Sequence, residues 1–183
     1  ADVDFMPDPV AGADEGDLLD DAGDTLGVEA VGGGIDLVKS SVGHTLGDNY
    51  ENLTLLGGDN INATGNALKN ILLGNDGNNT LNGMAEADDM KGGKGDDTYV
   101  VDNVGDKVAE NLNEGFDTVE SSITHVLGLN LEQLVLTGAG NINGTGNKAD
   151  NYLSGNAGNN VLDGLDGNDE IMGWEGNDTL KGG

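Results

Sequence analysis

The sequence predicts an all-β fold, a right-handed parallel β-roll or β-helix, and two periodicities carry the prediction. The shorter is nine residues. From Gly65 the chain reads GNALKNILL, GNDGNNTLN, GMAEADDMK and GGKGDDTYV, and from Gly146 it reads GNKADNYLS, GNAGNNVLD, GLDGNDEIM and GWEGNDTLK. Position 1 is Gly in all eight. Position 6 is Asn or Asp: Asn70, Asn79, Asp88, Asp97, Asn151, Asn160, Asp169 and Asp178. Position 8 is apolar or aromatic: Leu72, Leu81, Met90, Tyr99, Leu153, Leu162, Ile171 and Leu180. No helix has this period. Nine residues divide into a six-residue turn and a three-residue strand, with one inward side chain per strand and two nonapeptides per coil.

The longer period is 81 residues. "DLVKSSVGHTLGDNYENLTLLGGDNINATGN" (36–66) aligns without a gap on "DTVESSITHVLGLNLEQLVLTGAGNINGTGN" (117–147). The same offset relates Gly74 to Gly155 and Asp97 to Asp178, and further upstream "DDAGD" (20–24) resembles "DNVGD" (102–106) at an offset of 82. The expected organisation is therefore an opening segment 1–19 that ends a preceding unit or linker, then two units. The first, 20–101, has a spacer (20–64) and a nonapeptide block (65–100). The second, 102–183, has a spacer (102–145) and a block (146–183). The chain reads as a fragment of a longer repeating array. The expected interior is thin: Leu53, Leu55, Ile61, Leu72, Leu81, Met90 and Tyr99, with Leu134, Leu136, Ile142, Leu153, Leu162, Ile171 and Leu180.

Composition limits the partners. There are 34 Asp and Glu against 7 Lys and Arg, a net charge of −27. Phosphate recognition needs a basic surface, so nucleic acid is excluded, and an anionic membrane is disfavoured for the same reason. No apolar run is long enough to insert in a bilayer. The natural partner is a cation. Cysteine is absent, which removes disulfides and thiolate sites. Only 3% of residues are aromatic, so the bare chain lies near the disordered class unless something offsets its charge.

The eight nonapeptides resemble the RTX, or haemolysin-type, calcium-binding repeat G-G-x-G-x-D-x-U-x, in which U is a large apolar residue. The resemblance covers 65–106 and 146–183. The intervening stretch is similar to the spacers between such blocks in large secreted bacterial proteins. It implies a calcium-loaded parallel β-roll that leaves the cell by type I secretion and folds outside. The parent's activity is not implied.

The spacing itself argues for a cation. Residues 18 apart sit on neighbouring coils about 4.8 Å apart, and stacked carboxylates repel unless a cation lies between them. Calcium takes 6–8 oxygen ligands in loose geometry, magnesium wants a stricter octahedron, and zinc wants His or Cys. The expected pairs are Asn70/Asp88, Asn79/Asp97, Asn151/Asp169 and Asn160/Asp178. Asp106 continues the register below Asp88, and Asp117 stands in below Asp97 if that turn is longer. Gly93, Gly95 and Gly176 match the family's glycines at positions 2 and 4. Met84 and Glu86 depart from them. Asn75 and Asn156 at position 2 are expected to adopt left-handed backbone. The metal-site expectation is thus Asp88, Asp97, Asp169, Asp178, Asp106, Asp117, Asn79, Asn160, Gly93, Gly95 and Gly176.

Plainer readings stand beside these. An Asp in a turn is often an Asx-turn without metal, and an Asn ladder needs none. His44 and His125 recur at 81 without a nucleophile constellation and read as inherited spacer residues. Ser40, Ser41, Ser121 and Ser122 read as polar surface. Asp102, Asp106, Glu110 and Asp117, with Asp20, Asp24, Glu29 and Asp36 upstream, form a second acidic cluster, either another calcium site or a solvated edge. The functional expectation is a non-enzymic, calcium-dependent folding and spacer module of a secreted or cell-surface protein. An end-to-end self-assembling filament or surface-layer subunit is the alternative, and an enzyme on an extracellular polymer ranks below both.

Overall fold

The computed structural model describes residues 34–183. The segment 1–19, the start of the first spacer, and Asp20, Asp24 and Glu29 lie outside the described residues. The described chain is all-β, with seventeen short strands: β1 (Leu37–Ser40), β2 (His44–Thr45), β3 (Asn52–Leu55), β4 (Ala63–Thr64), β5 (Ile71–Leu73), β6 (Thr80–Asn82), β7 (Asp89–Lys91), β8 (Thr98–Val101), β9 (Lys107–Val108), β10 (Thr118–Ser121), β11 (His125–Val126), β12 (Gln133–Leu136), β13 (Gly144–Thr145), β14 (Tyr152–Ser154), β15 (Val161–Asp163), β16 (Glu170–Met172) and β17 (Thr179–Lys181). Successive strands alternate between the two sides of one core. The even strands form one sheet of eight, whereas the odd strands form two, β1-β3-β5-β7-β9 and β11-β13-β15-β17. Every pairing is parallel. The molecule is a parallel β-solenoid, two strands to a coil.

Register accounts for the nine-residue period. Leu72 pairs with Met90, Leu81 with Tyr99, Leu153 with Ile171 and Leu162 with Leu180, each position 8 lying on the position 8 of the next coil. Leu53, Leu72, Leu81, Tyr99, Leu134, Leu153 and Leu162 are fully buried in a single core cluster. Burial of one such side chain stabilises by roughly 1.5–3 kcal/mol. Leu180 departs from expectation. It lies on β17, which has β15 on one side only, and is 49% exposed.

The spacers continue the same roll with uneven coils. Val38 pairs with Leu53 15 residues on, Leu53 with Leu72 19 on, Tyr99 with Val119 20 on, and Val119 with Leu134 15 on. Ser40 and Ser121 correct the surface reading. Both are buried at strand ends, where each hydroxyl donates to the carbonyl two residues on, Val42 or Ile123, and accepts that residue's N–H. Ser41 and Ser122 are the exposed partners.

The strands recur at the 81-residue offset, β1 at β10 and β3 at β12. Nine strands separate each pair, an odd number. Strands of the five-stranded sheet therefore have their counterparts across the core, in the eight-stranded sheet. A seam lies between the two sets. β9 ends one odd-strand sheet and β11 begins the next, so only β8, β10 and β12 carry sheet pairing across it.

Candidate metal centre

The turns fill the two edges of the roll, and they are of two kinds. In the Asn turns the position-6 amide is fully engaged. Asn79 Oδ1 accepts the N–H of Asn75 at 2.8 Å, while Nδ2 donates to the Ile61 carbonyl at 2.7 Å and to Asn75 Oδ1 at 3.0 Å. Asn160 repeats this with Asn156 and the Ile142 carbonyl, and Asn70 and Asn151 do likewise with Asn66 and Asn147. The amide thus bridges two coils. Asn75 and Asn156 do not take left-handed backbone. Their Nδ2 groups instead donate to carbonyls of the previous coil, Leu56 and Asp59 for Asn75 and Thr137 and Gly140 for Asn156. Asn60, Asn62, Asn141 and Asn143 form an outer ladder, each accepting a backbone N–H 18 residues on.

In the Asp turns only half the carboxylate is engaged. Asp88 Oδ1 accepts the N–H of Asn70 at 2.7 Å, Asp97 that of Asn79 at 2.7 Å, Asp169 that of Asn151 at 2.9 Å and Asp178 that of Asn160 at 2.8 Å. The expected pairs are therefore neighbours. The second oxygens of Asp88, Asp97 and Asp169 are buried with no hydrogen-bond partner among the described residues. The lysines of the described ion pairs reach Asp76, Asp89, Glu114 and Asp163, not these turns. A buried, unpartnered carboxylate oxygen is costly.

The backbone differs accordingly. Positions 2 and 4 have positive φ at Gly93 and Gly95, at Leu165 and Gly167, and at Trp174 and Gly176. Met84 (φ 71°) and Glu86 (φ 69°) adopt the same conformation without glycine, so the loop that departs in sequence keeps the path of the others. Side chains there are strained. Position 1 is glycine for a different reason. The position-6 side chain folds back over it, and a Cβ at Gly83 or Gly92 would lie 2.0 Å from Oδ2 of Asp88 or Asp97.

Below the Asp turns the acidic cluster divides between the edges. Asp106 Oδ1 accepts the N–H of Asp88 at 3.1 Å, and its Oδ2 accepts those of Asp102 and Asn103. On the other edge Asp117 Oδ1 accepts the N–H of Asp97 at 2.9 Å. Glu110 joins this second group. Ligand oxygens of Asp97, Glu110 and Asp117 lie within 4.8 Å of one another, and all three residues are buried. The Tyr99 hydroxyl donates to Glu110. Burial, with like charge adding to it, lifts Asp97 and Asp117 to about 7 and Asp88 to about 6, and burial raises Glu110 and Tyr99 as well. In the sequence Glu110 belongs to the acidic cluster without a tie to Asp97; its register is the signal, because Glu110 stands where the nine-residue count places a glycine.

The donor set fits calcium. It is all oxygen, with unpartnered carboxylate oxygens beside turns whose left-handed positions reorient carbonyls. A family model, the RTX calcium-binding nonapeptide repeat, matches residues 64–99 and 145–180. Among curated proteins, Endo-1,3-1,4-beta-glycanase ExsH of Rhizobium meliloti (strain 1021) is 38% identical over 64 residues, 35% of this chain and 14% of that protein's length. No solved structure matches. The two nonapeptide blocks are thus RTX calcium-binding repeats, and the ion of those repeats is calcium.

Proposed function

We propose that this chain is a calcium-dependent folding and spacer module of a secreted or cell-surface protein. The observation that carries the reading is the buried, unpartnered oxygen on Asp88, Asp97 and Asp169. On this reading Asp88, Asp97, Asp169 and Asp178 hold the ions, with Asp106 and Asp117 as stacked partners and Gly93, Gly95 and Gly176 turning carbonyls toward them. Asn79 and Asn160 stand in the neighbouring turns, and their side chains are already satisfied. Bound calcium supplies positive charge between stacked carboxylates. The chain's own residues hold each carboxylate by one oxygen and keep the other directed into the turn.

The two units, 20–101 and 102–183, are then the repeating pieces of a longer roll. In calcium-poor cytosol the chain stays unfolded and exportable, and outside it winds up, because ligand that binds only the folded form stabilises it by mass action. Among the described residues no helix is long and apolar enough to cross a membrane. Chemistry on a substrate belongs to the parent. A glycanase that shares a short stretch with this chain supports a parent acting on an extracellular polymer.

A calcium titration followed by circular dichroism, with calorimetric counting of sites, tests the reading. The expected result is a coil-to-β transition reversed by chelator. A chelated sample with a full β spectrum and a cooperative melt would overturn it.

A further inference from the structure

The carboxylates of Asp97, Glu110 and Asp117 meet where the roll is least continuous. On the odd-strand side β9 and β11 do not pair. The segment 109–117 runs from β9 to β10 across this seam and lays Glu110 and Asp117 against the last turn of the first nonapeptide block. Bonds hold it at both ends: the Ala109 N–H donates to the Met90 carbonyl at 3.1 Å, the Asp117 N–H to Glu132 Oε2 at 2.9 Å, and the Gln133 N–H to the Asp117 carbonyl at 3.0 Å. Asn130 Nδ2 donates to the Glu110 carbonyl at 2.9 Å, the Gly95 N–H donates to the Glu114 carbonyl at 2.8 Å, and the Phe116 N–H donates to Asp96 Oδ1 at 2.9 Å.

Two independent observations point to a ligand. Three buried residues bring carboxylate oxygens within 4.8 Å of one another, a separation at which like charges repel strongly outside bulk water. Within the group Asp97 is 1% exposed, and its Oδ2 has no hydrogen-bond partner among the described residues. Neutral donors hold the rest. The Gly92 N–H donates to Glu110 Oε1 at 3.1 Å and to Tyr99 Oη at 2.6 Å, and the Asn111 N–H donates to Glu110 Oε2 at 3.3 Å. The nearest lysine pair, Lys91 with Glu114 at 3.9 Å, leaves the three without a cation.

We propose that Asp97, Glu110 and Asp117 form a three-carboxylate calcium site that fills before the nonapeptide turns and clamps segment 109–117 across the seam. The site rests on the calcium-module reading and differs from the turns in kind. Each pair within the nonapeptide blocks offers one carboxylate and one amide, and Asp88 with Asp106 offers two carboxylates, whereas this site offers three, two of them from the spacer. Affinity of calcium sites rises with ligand charge and rigidity, and the hydrogen bonds to Glu110 pre-set its orientation.

Terbium, a hard cation of similar ligand preference, reports the site through Tyr99, whose hydroxyl touches Glu110. The experiment uses the whole chain carrying Trp174→Phe, so that tyrosine is the sensitiser. Terbium emission and calorimetric calcium counts are compared for that parent, Glu110→Gln and Tyr99→Phe. The expected parent emission saturates with the first equivalent. Tyr99→Phe loses most of that emission with an unchanged site count. Glu110→Gln lowers the tight-class count by one or weakens it at least ~10-fold, the scale on which ligand charge tunes such sites, while the Asp169 and Asp178 turns still fill.

An unchanged count and first-site affinity in Glu110→Gln would overturn the site, as would unchanged emission in Tyr99→Phe. If Glu110→Gln fails to reach the parent's β spectrum in saturating calcium, Tyr99→Phe decides. A parent that binds no calcium overturns the module reading with it. A parent that binds calcium indifferently to both substitutions overturns this site alone.

Discussion

The turns at Asn79 and Asp97 are stacked neighbours on one edge of the roll and differ by an amino group for an oxygen. At Asn79 that amino group donates to the Ile61 carbonyl of the coil before it. At Asp97 the corresponding oxygen is buried with nothing to accept from among the described residues. The first turn closes with protein atoms alone, and the second is left for a cation to close. The same contrast recurs between Asn70 and Asp88 and between Asn151 and Asp169. The roll thus carries two kinds of turn, which differ in one side-chain atom at position 6 and in the left-handed backbone at positions 2 and 4 that the Asp turns adopt and the Asn turns do not.

Removing the ion should break the comparison most completely. Chelation at neutral pH is expected to abolish the β spectrum of the whole chain, because neighbouring coils stabilise one another additively, and equal magnesium should not restore it. Survival of β structure around the Asn turns alone, read by amide hydrogen exchange, would show instead that the two kinds of turn fold separately.

Next in size is Gly92→Ala. A Cβ there would lie 2.0 Å from Asp97 Oδ2 and 2.5 Å from Tyr99 Oη, both packed in the interior, so a loss of about 1–3 kcal/mol is expected in a melt with calcium present. The control is Gly182→Ala, which meets nothing within 4 Å and should stay within ~0.5 kcal/mol.

Exchanging the two side chains sharpens the comparison. Asn79→Asp removes the donors to Ile61 and Asn75 and is expected to raise the calcium concentration at which the chain folds, by the equivalent of roughly 1–3 kcal/mol, with recovery in saturating calcium. Asp169→Asn should bind one calcium fewer while moving that folding midpoint less. Equal shifts of midpoint and equal calcium counts for the two changes would remove the distinction between the turns.

The pH dependence of the calcium-free chain follows from the raised carboxyls. Asp88 lies at about 6 and Asp97 and Asp117 at about 7, all above the ordinary 3.8. The folded chain therefore binds more protons than the unfolded chain between about pH 4 and about pH 7. Their stabilisation is full below about pH 4 and is lost as pH rises through about 6–7. Without calcium, residual structure should strengthen on acidification from about pH 8 to about pH 5. With calcium the trend should invert, since protonation expels the ion. Thermal melts in both conditions check the sign.

The smallest effect expected is from Met84→Gly. Met84 sits at φ 71°, and relief of that strain, partly offset by the entropy of a freer unfolded chain, should stabilise by about 0.5–1 kcal/mol.

Most of the roll was legible because one residue per strand, position 8, points inward, and its period survives any choice of turn residue. The stacking of the position-6 residues was legible for a similar reason, since a side chain repeated every coil must face its counterpart in the next. The amide turns were harder to read. Asn79 and Asn160 look like weak ligands until the carbonyls of the preceding coil are in place, and those carbonyls belong to the spacer residues Ile61 and Ile142, outside the nine-residue pattern. The left-handed role expected for Asn75 failed on the same point, because its amide had a better partner across the coil. Glu110 escaped assignment because it stands 18 residues after Gly92, at a position the repeat gives to glycine, and the lengthening to 20 residues that brings Asp117 below Asp97 comes only after it. Ser40 and Ser121 misled because a hydroxyl bonded to its own turn can be buried without a distant partner.

The odd number of strands in an 81-residue unit imposes a parity on any longer chain built from it. One unit advances about 22 Å along the axis, four and a half coils at ~4.8 Å each, and also turns half a revolution. Equivalent surfaces then point in opposite directions in successive units and agree again only in alternate ones, as in a two-fold screw. Loss or gain of a single nonapeptide would reverse the facing of everything after it while leaving each local turn intact. Loss or gain of a pair would shorten or lengthen the rod without changing what it faces. Evolution of such a chain is expected to tolerate changes of eighteen residues more readily than changes of nine wherever a partner reads one side of the rod.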